Sequence, residues 1–507
     1  MLNMKVNVIA YLLALVVTFF TRKVLLDQLG TEFIGLTTTM NSLLGFLNLA
    51  ELGVGASIAY FLYKPIFADD RCAICDILSI MGYLYRYIGG IILGAGIICS
   101  CFLPSIFSQT DFPLGILFYC FYGQLFSSLL GYFVNYKANT IFSADQRQYL
   151  VSVYFQATQL LTAILQAVLA YYTRSLVLYV TVAVLLSVIN SVIVNWKCYK
   201  VYPWIETSFS RGREALRQRP EIVTYVKRVF VHQVGGFVNR SAMPLVIYGS
   251  ATLSTVTLYG NYSLLNNKIG DLIFSALRGT DASVGNLIAE GDQQKIYNCY
   301  KELFSIKFFV VTYLSLCLVQ LNSDFITVWL GPQYVLPKLL VLLICADFWL
   351  NLLRNTTDQF INGYGLKADI WVPLCRIASL GVMIWTGQRW GMTGILWVPV
   401  LFQLIFTHLW KPYYLYHSGL QLPLRLYGKL VGSNALPFLL AYLICLGLSR
   451  LLNLDRGTSL NWMDFLYQAM LFCLPLLIVS ALLSWLLCDG IRIFVCRLSH
   501  RRTSTPA

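Results

Sequence analysis

The stretch Met470–Leu487 reads MLFCLPLLIVSALLSWLL and contains no charged residue. A helix that crosses the hydrocarbon core of a bilayer needs about 20 mostly apolar residues, and this stretch with its flanks reaches that length. Apolar and polar residues do not alternate along it, as they would in a strand of a transmembrane barrel. The stretch therefore predicts a transmembrane α-helix.

Comparable stretches recur along the whole chain of 507 residues, of which 58% are hydrophobic and 12% charged. Soluble proteins average about 25% charged residues, so this composition excludes a soluble globular protein. We predict an all-α polytopic membrane protein with about fourteen transmembrane helices, near 5–22, 33–62, 80–103, 113–136, 148–172, 175–196, 223–249, 253–280, 303–321, 335–362, 369–387, 393–416, 430–450 and 463–487. We expect the first stretch to be a retained span rather than a signal peptide, because no small-residue cleavage site precedes the polar turn at Thr21–Lys23.

The net charge of +14 is distributed as in a membrane protein rather than a nucleic-acid binder. If the N-terminus is cytoplasmic, alternate connections carry most of the Lys and Arg residues, and the connection 197–228 is the richest. The external connections near 104–112, 249–252 and 321–334 then carry none. This positive-inside pattern predicts that both termini are cytoplasmic. The tail cations Arg492, Arg497, Arg501 and Arg502 are expected to face anionic headgroups.

Cysteine spacing and known motifs give no sign of a metal, a cofactor or an enzyme. Cys72 and Cys75 form a lone C-x-x-C without the two further ligands that a zinc site needs. The sequence contains no phosphate-binding loop, no G-x-S-x-G and no H-E-x-x-H. We therefore predict no cofactor and no catalytic site, and keep a membrane glycosyltransferase or polymerase as a more distant alternative.

The longest polar stretch, about 197–222, divides the chain into two blocks of spans. We predict an N-terminal six-helix lobe at 1–200, a basic connection at 201–222 and a second six-helix lobe at 223–420. Residues 421–507 are expected to add two helices and a basic tail. Repeated halves around a midplane site are a common transporter plan.

Polar and charged residues inside spans usually face a bundle interior or a water-filled cavity. In the tenth predicted span Asp347, Asn351, Arg354, Asp358 and Asn362 share an arc of about 80° on one helix face. This stripe predicts cavity lining; the alternative is an ion-pair ladder Asp347–Arg354–Asp358 that only holds helices together.

Other spans carry similar candidates. In the eighth, Asn261, Lys268, Asp271, Ser275 and Arg278 share an arc of about 100°. The second contains Asn41, Asn48 and Glu51, whose carboxylate could bind a cation or a proton or could pair with an arginine. Arg86, Arg240 and Arg376 are single cations in the third, seventh and eleventh spans, and Arg86 or Arg376 could instead snorkel to an interface.

Cations slightly outnumber carboxylates among these residues, and Asn, Ser and Tyr accompany them. Charge-assisted hydrogen bonds from Arg and Lys suit a phosphate, and amides and hydroxyls suit sugar hydroxyls. The pattern predicts a transporter of an amphiphile that carries phosphate and hydroxyls. A cation-coupled drug or small-molecule antiporter is the nearest alternative.

Several short segments resemble a known family. They are FTRKVLL at 20–26, LGTEFIGL at 29–36, LAELGVG at 49–55, LYKP at 62–65 and LYGNYS at 258–263. These segments resemble the bacterial Wzx-type flippases of lipid-linked oligosaccharides, in the multidrug/oligosaccharidyl-lipid/polysaccharide exporter superfamily.

The resemblance implies two six-helix lobes around a central cavity that opens to one side at a time. It implies flipping of undecaprenyl-diphosphate-linked repeat units, of the O-antigen, capsule or exopolysaccharide type, across the bacterial cytoplasmic membrane. By analogy with the family, Arg240, Lys268, Arg278 and Arg354 are the expected diphosphate ligands. The implied partners are the lipid-linked oligosaccharide, membrane lipids, a polysaccharide polymerase and glycosyltransferases, and no nucleic acid.

Overall fold

The computed structural model describes residues 2–51, 53–145, 147–227, 229–230, 242–277, 281–366, 371–451 and 461–503. Within these residues the protein consists of helices joined by short connections. These residues contain no β-strand. The helices are α1 Leu2–Leu47, α2 Val54–Phe67, α3 Arg71–Ile106, α4 Leu114–Leu130, α5 Tyr136–Ala144, α6 Gln148–Thr173, α7 Leu176–Val201, α8 Phe209–Gln218, α9 Met243–Tyr248, α10 Leu253–Leu277, α11 Asp281–Glu290, α12 Gln293–Trp329, α13 Lys338–Gly363, α14 Trp371–Phe402, α15 Lys411–Tyr414, α16 Arg425–Leu451, α17 Trp462–Leu487 and α18 Asp489–Thr503.

Within those ranges, nine helical segments are long and apolar enough to cross a membrane. They are Arg71–Ile106, Leu114–Ala144, Leu150–Thr173, Leu176–Val201, Gln293–Trp329, Lys338–Gly363, Trp371–Leu420, Arg425–Gly447 and Trp462–Leu487. Each coincides with one or two of the predicted spans, and the all-α fold class is confirmed. The chain is a multi-pass membrane protein. Of the seventh predicted span, 223–249, residues 228 and 231–241 lie outside the described residues.

Two glycines divide helices that are too long for a single crossing. Helix α1 has 46 residues, which at about 1.5 Å per residue would reach roughly 70 Å, against a hydrocarbon core of about 30 Å. Gly30 interrupts it with φ 81° and ψ 167°. Gly391 interrupts Trp371–Leu420 with φ 57° and ψ −146°. Glycine adopts positive φ without steric cost, so these residues separate the predicted spans 5–22 and 33–62, and 369–387 and 393–416.

The chain forms two compact units, Met1–Thr257 and Leu258–Ala507. In the first unit, α6 packs against α1 and α7, and α4 packs against α7. Gly123 permits the close approach of α4 and α7, because a Cβ there would lie 2.8 Å from Val180 Cγ1. The four helices α1, α4, α6 and α7 thereby surround a common interior.

The amphipathic helix α8 packs along α3 in the first unit. Gly212 rests on the backbone of Ser79, where a Cβ would collide with the carbonyl oxygen. Arg211 Nε lies 2.6 Å from the Asp76 carboxylate, and another of its guanidinium nitrogens donates to the Cys72 carbonyl at 3.0 Å. Part of the predicted basic connection 201–222 is thus a folded helix fixed to a span.

The second unit contains a bundle in which α12 packs against α13, α16, α17 and α18. Ala441, Phe472 and Leu476 form part of its apolar core. The C-terminal helix α18 follows α17 and lies against α12, where Arg497 forms a 2.6 Å ion pair with the buried Glu302. The predicted basic tail is therefore helical, and at least one of its cations binds protein.

We expect Gly212→Ala to destabilise the protein by about 1–3 kcal/mol, because the added methyl group must displace α8 from the Ser79 carbonyl. Gly94→Ala is the matched control, since Gly94 is helical and a Cβ placed there would meet nothing within 4 Å. The control should be neutral or up to about 1 kcal/mol more stable. The measurement is the temperature at which half of the detergent-purified protein loses its monodisperse elution peak. Equal midpoints for the two variants would contradict the packing of α8.

Candidate functional site

A cavity of about 640 Å³ lies within the first unit, inside the helices α1 and α4 to α7. On α6 its lining extends from Val151 to Gln166, a rise of roughly 22 Å, and on α7 from Tyr179 to Val194. The lining residues are Thr37, Asn41, Leu44, Gly45, Asn48, Gly123, Gln124, Ser127, Ser128, Gly131, Asn135, Asn139, Val151, Phe155, Thr158, Gln159, Thr162, Gln166, Tyr179, Val180, Ala183, Val184, Ser187, Asn190, Ser191 and Val194. The cavity therefore follows the helices for most of the depth of a hydrocarbon core.

The lining is polar but uncharged. Most of its side chains are amides or hydroxyls, and none of these described lining residues is Asp, Glu, Lys, Arg or His. An unsatisfied amide or hydroxyl costs several kcal/mol in an apolar medium, so a membrane bundle concentrates such groups where water or a polar ligand meets them. The cavity is consequently suited to a polar, neutral ligand.

Some of the polar side chains hold the wall together. Asn135 Nδ2 donates to Ser191 Oγ at 2.9 Å, and Asn195 Nδ2 donates to Asn135 Oδ1 at 3.0 Å. Ser187 Oγ donates to Ser127 Oγ at 3.0 Å. Asn135 ends a π-helical segment, Gly131–Asn135, between α4 and α5; such segments are frequent at functional sites. These bonds fix α4 to α7 and leave other amides for a ligand.

The amides that remain are those of Asn41, Gln124, Asn139 and Gln159. Within the described residues, no hydrogen bond to protein occupies these side chains, and Gln124 Oε1 is a buried acceptor without a donor there. Each amide has both donors and an acceptor. Four helical segments, in α1, α4, α5 and α6, thus each present one available amide to the cavity.

Glu51 lies beside this cavity at the end of the short 3-10 helix Asn48–Glu51. Its carboxylate accepts hydrogen bonds from Tyr85 at 2.8 Å and Tyr132 at 2.9 Å. Asn48, in the same short helix, accepts a bond from Ser128 at 3.1 Å. The partners of the Glu51 carboxylate in these bonds are therefore tyrosine hydroxyls rather than an arginine.

A charged cluster lies within the second unit. Asp358 on α13 contacts Lys411 Nζ at 2.5 Å and lies 3.7 Å from Arg354 Nε. Lys411 is 14% exposed and Arg354 31% exposed. The closer and more buried partner of Asp358 is therefore Lys411, and Arg354 is the more accessible cation.

Asp347 lies nearly two turns before Arg354 on α13. The predicted ladder pairs it with Arg354, but the structure gives it a different hydrogen-bond partner. It accepts a hydrogen bond from Gln403 Nε2 at 2.5 Å, and Gln403 begins the π-helical segment Gln403–Trp410. The buried Arg376 on α14 lies over the Phe402 ring at 5.3 Å. Three cations, Arg354, Arg376 and Lys411, thus accompany the two carboxylates on α13.

Sequence reasoning misses two cations in this unit. Lys411 lies on a different predicted span from the polar stripe, so no helical periodicity connects it to Asp358. Lys307 on α12 is buried and donates to Asn355 at 2.7 Å and to Gln359 at 2.9 Å. The position of Lys307 within a predicted apolar span is a signal that could have found it.

The remaining predicted residues lie in several places. Arg86 does not line the cavity; its guanidinium lies 5.3 Å from the centre of the Phe209 ring on α8. Asn261 is buried, Lys268 is half-buried and Asp271 is exposed on α10, and Asn351 is half-buried on α13. Arg240 and Arg278 lie outside the described residues. The assignment of these side chains to a substrate stays a prediction.

Solved structures match the chain over most of its length, whereas no protein-family model and no curated protein matches the sequence. The lipid II flippase MurJ, in an inward closed conformation, matches with a TM-score of 0.63 and 12% identity over 94% of this chain and 97% of that chain. The chain has the fold of a membrane transporter. An inward-facing multidrug resistance MATE family transporter of the MOP superfamily matches with a TM-score of 0.57 and 16% identity, over 81% of this chain and 95% of that chain. Both structures support the predicted helical architecture. Because the two proteins are named for different functions, the substrate class of this chain has to be inferred from its own cavity and charged residues.

We expect Lys411→Gln to lower protein abundance more than Arg354→Gln does. The first change removes the 2.5 Å partner of Asp358, and the second removes the 3.7 Å partner. A partly buried carboxylate that loses its donor costs about 1–3 kcal/mol. Immunoblots of membranes measure abundance, and adding Asp358→Asn to Lys411→Gln should restore it. A greater loss from Arg354→Gln would favour the predicted Asp347–Arg354–Asp358 ladder.

Proposed function

We propose that this protein flips a lipid-linked oligosaccharide across the cytoplasmic membrane. The observation that carries the proposal is the uncharged cavity of amides and hydroxyls within the first unit. A glycan is a ligand whose surface consists largely of hydroxyl groups, each able to donate and accept. The available amides of Asn41, Gln124, Asn139 and Gln159 match that chemistry.

The charged cluster of the second unit supports a phosphate-bearing lipid as the carrier of the glycan. Arg354, Arg376 and Lys411 outnumber the carboxylates Asp347 and Asp358. Arginine binds phosphate through a planar pair of donors, and Arg354 is the cation of this cluster with 31% of its side chain exposed. We propose Arg354 as a diphosphate ligand, with Lys268, Arg240 and Arg278 as further candidates.

The antiporter alternative depends on Glu51. A carboxylate held by the neutral hydroxyls of Tyr85 and Tyr132 could take up a proton or a cation. An organic cation, however, would find no carboxylate among the described cavity-lining residues. The lining therefore favours the glycan over a cationic drug. A glycosyltransferase or polymerase is less favoured, because the fold is that of transporters.

The basic connections bear on the topology of the protein in the membrane, and the proposed substrate bears on its partners. We propose a multi-pass protein of the bacterial inner membrane with both termini in the cytoplasm, in accordance with its basic connections. Its partners would be the glycosyltransferases that build the glycan, the polymerase that uses it, and membrane lipids. The product would be a lipopolysaccharide O-antigen, a capsule or an exopolysaccharide.

We expect deletion of the gene to cause complete lipid-linked repeat units to accumulate on the inner leaflet, because synthesis continues while export stops. The measurement is mass spectrometry of extracted lipid-linked glycans, with leaflet assignment by an impermeant glycan-binding probe on intact and lysed spheroplasts. Complementation with the wild-type gene is the control. Truncated glycans would indicate a transferase instead. Intact, exported glycans with altered drug tolerance would indicate an antiporter.

We expect Arg354→Ala to abolish complementation of the deletion while the protein remains in the membrane. Lys411 still pairs with Asp358 in this variant, so folding should survive. Arg354→Lys should restore only part of the export, because lysine lacks the two-pronged donor geometry of arginine. Surface glycan is measured against protein abundance for each variant. Full export by Arg354→Ala would remove Arg354 from the proposed diphosphate site.

A further inference from the structure

We infer that the cavity of the first unit binds uncharged sugars and discriminates against acidic ones. The inference rests on the proposed function, since it specifies the class of glycan that the flippase would carry. It is carried by the lining itself, which offers many hydrogen-bonding groups and no ionisable acid or base among the described lining residues apart from the phenol of Tyr179. Selectivity would arise inside this cavity and not from the lipid carrier.

The available amides determine what the cavity recognises. Asn41 on α1, Gln124 on α4, Asn139 on α5 and Gln159 on α6 approach from different sides of the cavity. Gln124 Oε1 is buried and lacks a donor from the described protein, and a ligand hydroxyl would supply one. A site that is built to bond hydroxyls strongly rejects ligands without them, because its own polar groups then stay unpaired. The cavity therefore favours a ligand with many hydroxyl groups over an apolar one of the same size.

Charge is disfavoured for a separate reason. A sugar carboxylate would leave water for a cavity whose described lining supplies no cation, and burial of an unpaired charge is costly. Hydroxyl groups exchange bonds to water for bonds to amides at little net cost. The free-energy cost of leaving water for the cavity is thus lower for a neutral glycan than for an acidic glycan of equal size.

The cavity has a suitable size and an aromatic surface. Its volume of about 640 Å³ falls in the range of about 300–1,000 Å³ that ligand pockets occupy. Phe155 contributes a half-exposed ring to the lining, which offers an apolar face to the C–H groups of a sugar ring. A short oligosaccharide combines both surfaces in one molecule.

The test is saturation-transfer difference NMR on the purified full-length protein in lipid nanodiscs. The neutral probes are maltotriose and chitotriose, and the acidic probe of equal length is trigalacturonate. We expect at least one neutral trimer to bind about tenfold more tightly than trigalacturonate, with empty nanodiscs as the blank. Equal binding of the acidic probe, or no binding of either neutral trimer, would overturn the inference.

Variants locate the binding in the cavity. Gln124→Leu combined with Gln159→Leu should weaken binding of the neutral trimer about tenfold, because two ligand bonds are lost. Gln156→Leu is the matched control, since Gln156 is exposed on the same helix as Gln159 but does not line the cavity. Gln124→Lys provides a second, independent variant and should shift the preference toward trigalacturonate. Unchanged preferences in both cavity variants, with normal elution profiles, would place any sugar binding elsewhere and overturn the inference.

The failure of this inference differs from failure of the proposed function. If the deletion strain accumulates complete lipid-linked glycans but the protein binds trigalacturonate as well as the neutral trimers, the proposed flippase function stands and the neutral-sugar site is ruled out. If the protein prefers the neutral trimers but the deletion strain still exports intact glycans, the sugar site stands and the proposed flippase function is ruled out.

Discussion

The hydrogen bond from each backbone N–H to the carbonyl four residues earlier is the constraint on which this structure depends. Lipid offers no partner to a peptide group, so each membrane segment must satisfy its own backbone. A chain of repeated apolar stretches accordingly becomes a chain of helices. Polar side chains then have to face the interior of a bundle, and the amides on α4, α6 and α7 meet around the cavity of the first unit for this reason. The polar side chains thus lie inside the bundle because the lipid around it cannot form hydrogen bonds with them.

The fold can be predicted from the sequence because its signal is long and repeated. Apolar stretches such as Trp462–Leu487 have no competing interpretation. The breaks are harder to predict, because Gly30 and Gly391 differ from most other glycines only in their backbone angles. A helical segment as long as Trp371–Leu420 also contains π-helical turns, which no periodic pattern announces. Helix ends and turns are therefore where sequence and structure diverge most.

The candidate site is only partly predictable from the sequence. A search for charged residues inside spans identifies the charged candidates but overlooks the neutral polar residues that line the cavity. Asn41 and Asn48 are expected in a cavity, and both line one. The polar residues of α4, α6 and α7, such as Gln124, Thr158 and Asn190, draw no attention because a neutral polar residue inside a span is common. Only the packing of several helices reveals that these residues face one another. In the second unit, the stripe on α13 is recognisable, but Lys411 can be assigned to Asp358 only from three-dimensional distances.

The π-helical segment Gly131–Asn135 sets the rotation between the two halves of the membrane helix formed by α4 and α5. A π-turn accommodates one residue more than an α-turn over nearly the same rise. If this segment kept all of its residues but closed into regular α geometry, the surplus residue would add its own rotation to the helix. Every side chain beyond it would then rotate by about 100° relative to those before it. Asn139 would then be rotated by that angle from its present direction, so its position beside Gln124 in the cavity depends on the π-turn that absorbs the surplus residue. Deleting one residue within this segment would therefore leave the second half of the helix facing the same cavity, whereas a deletion elsewhere in the helix would rotate that half by about 100°.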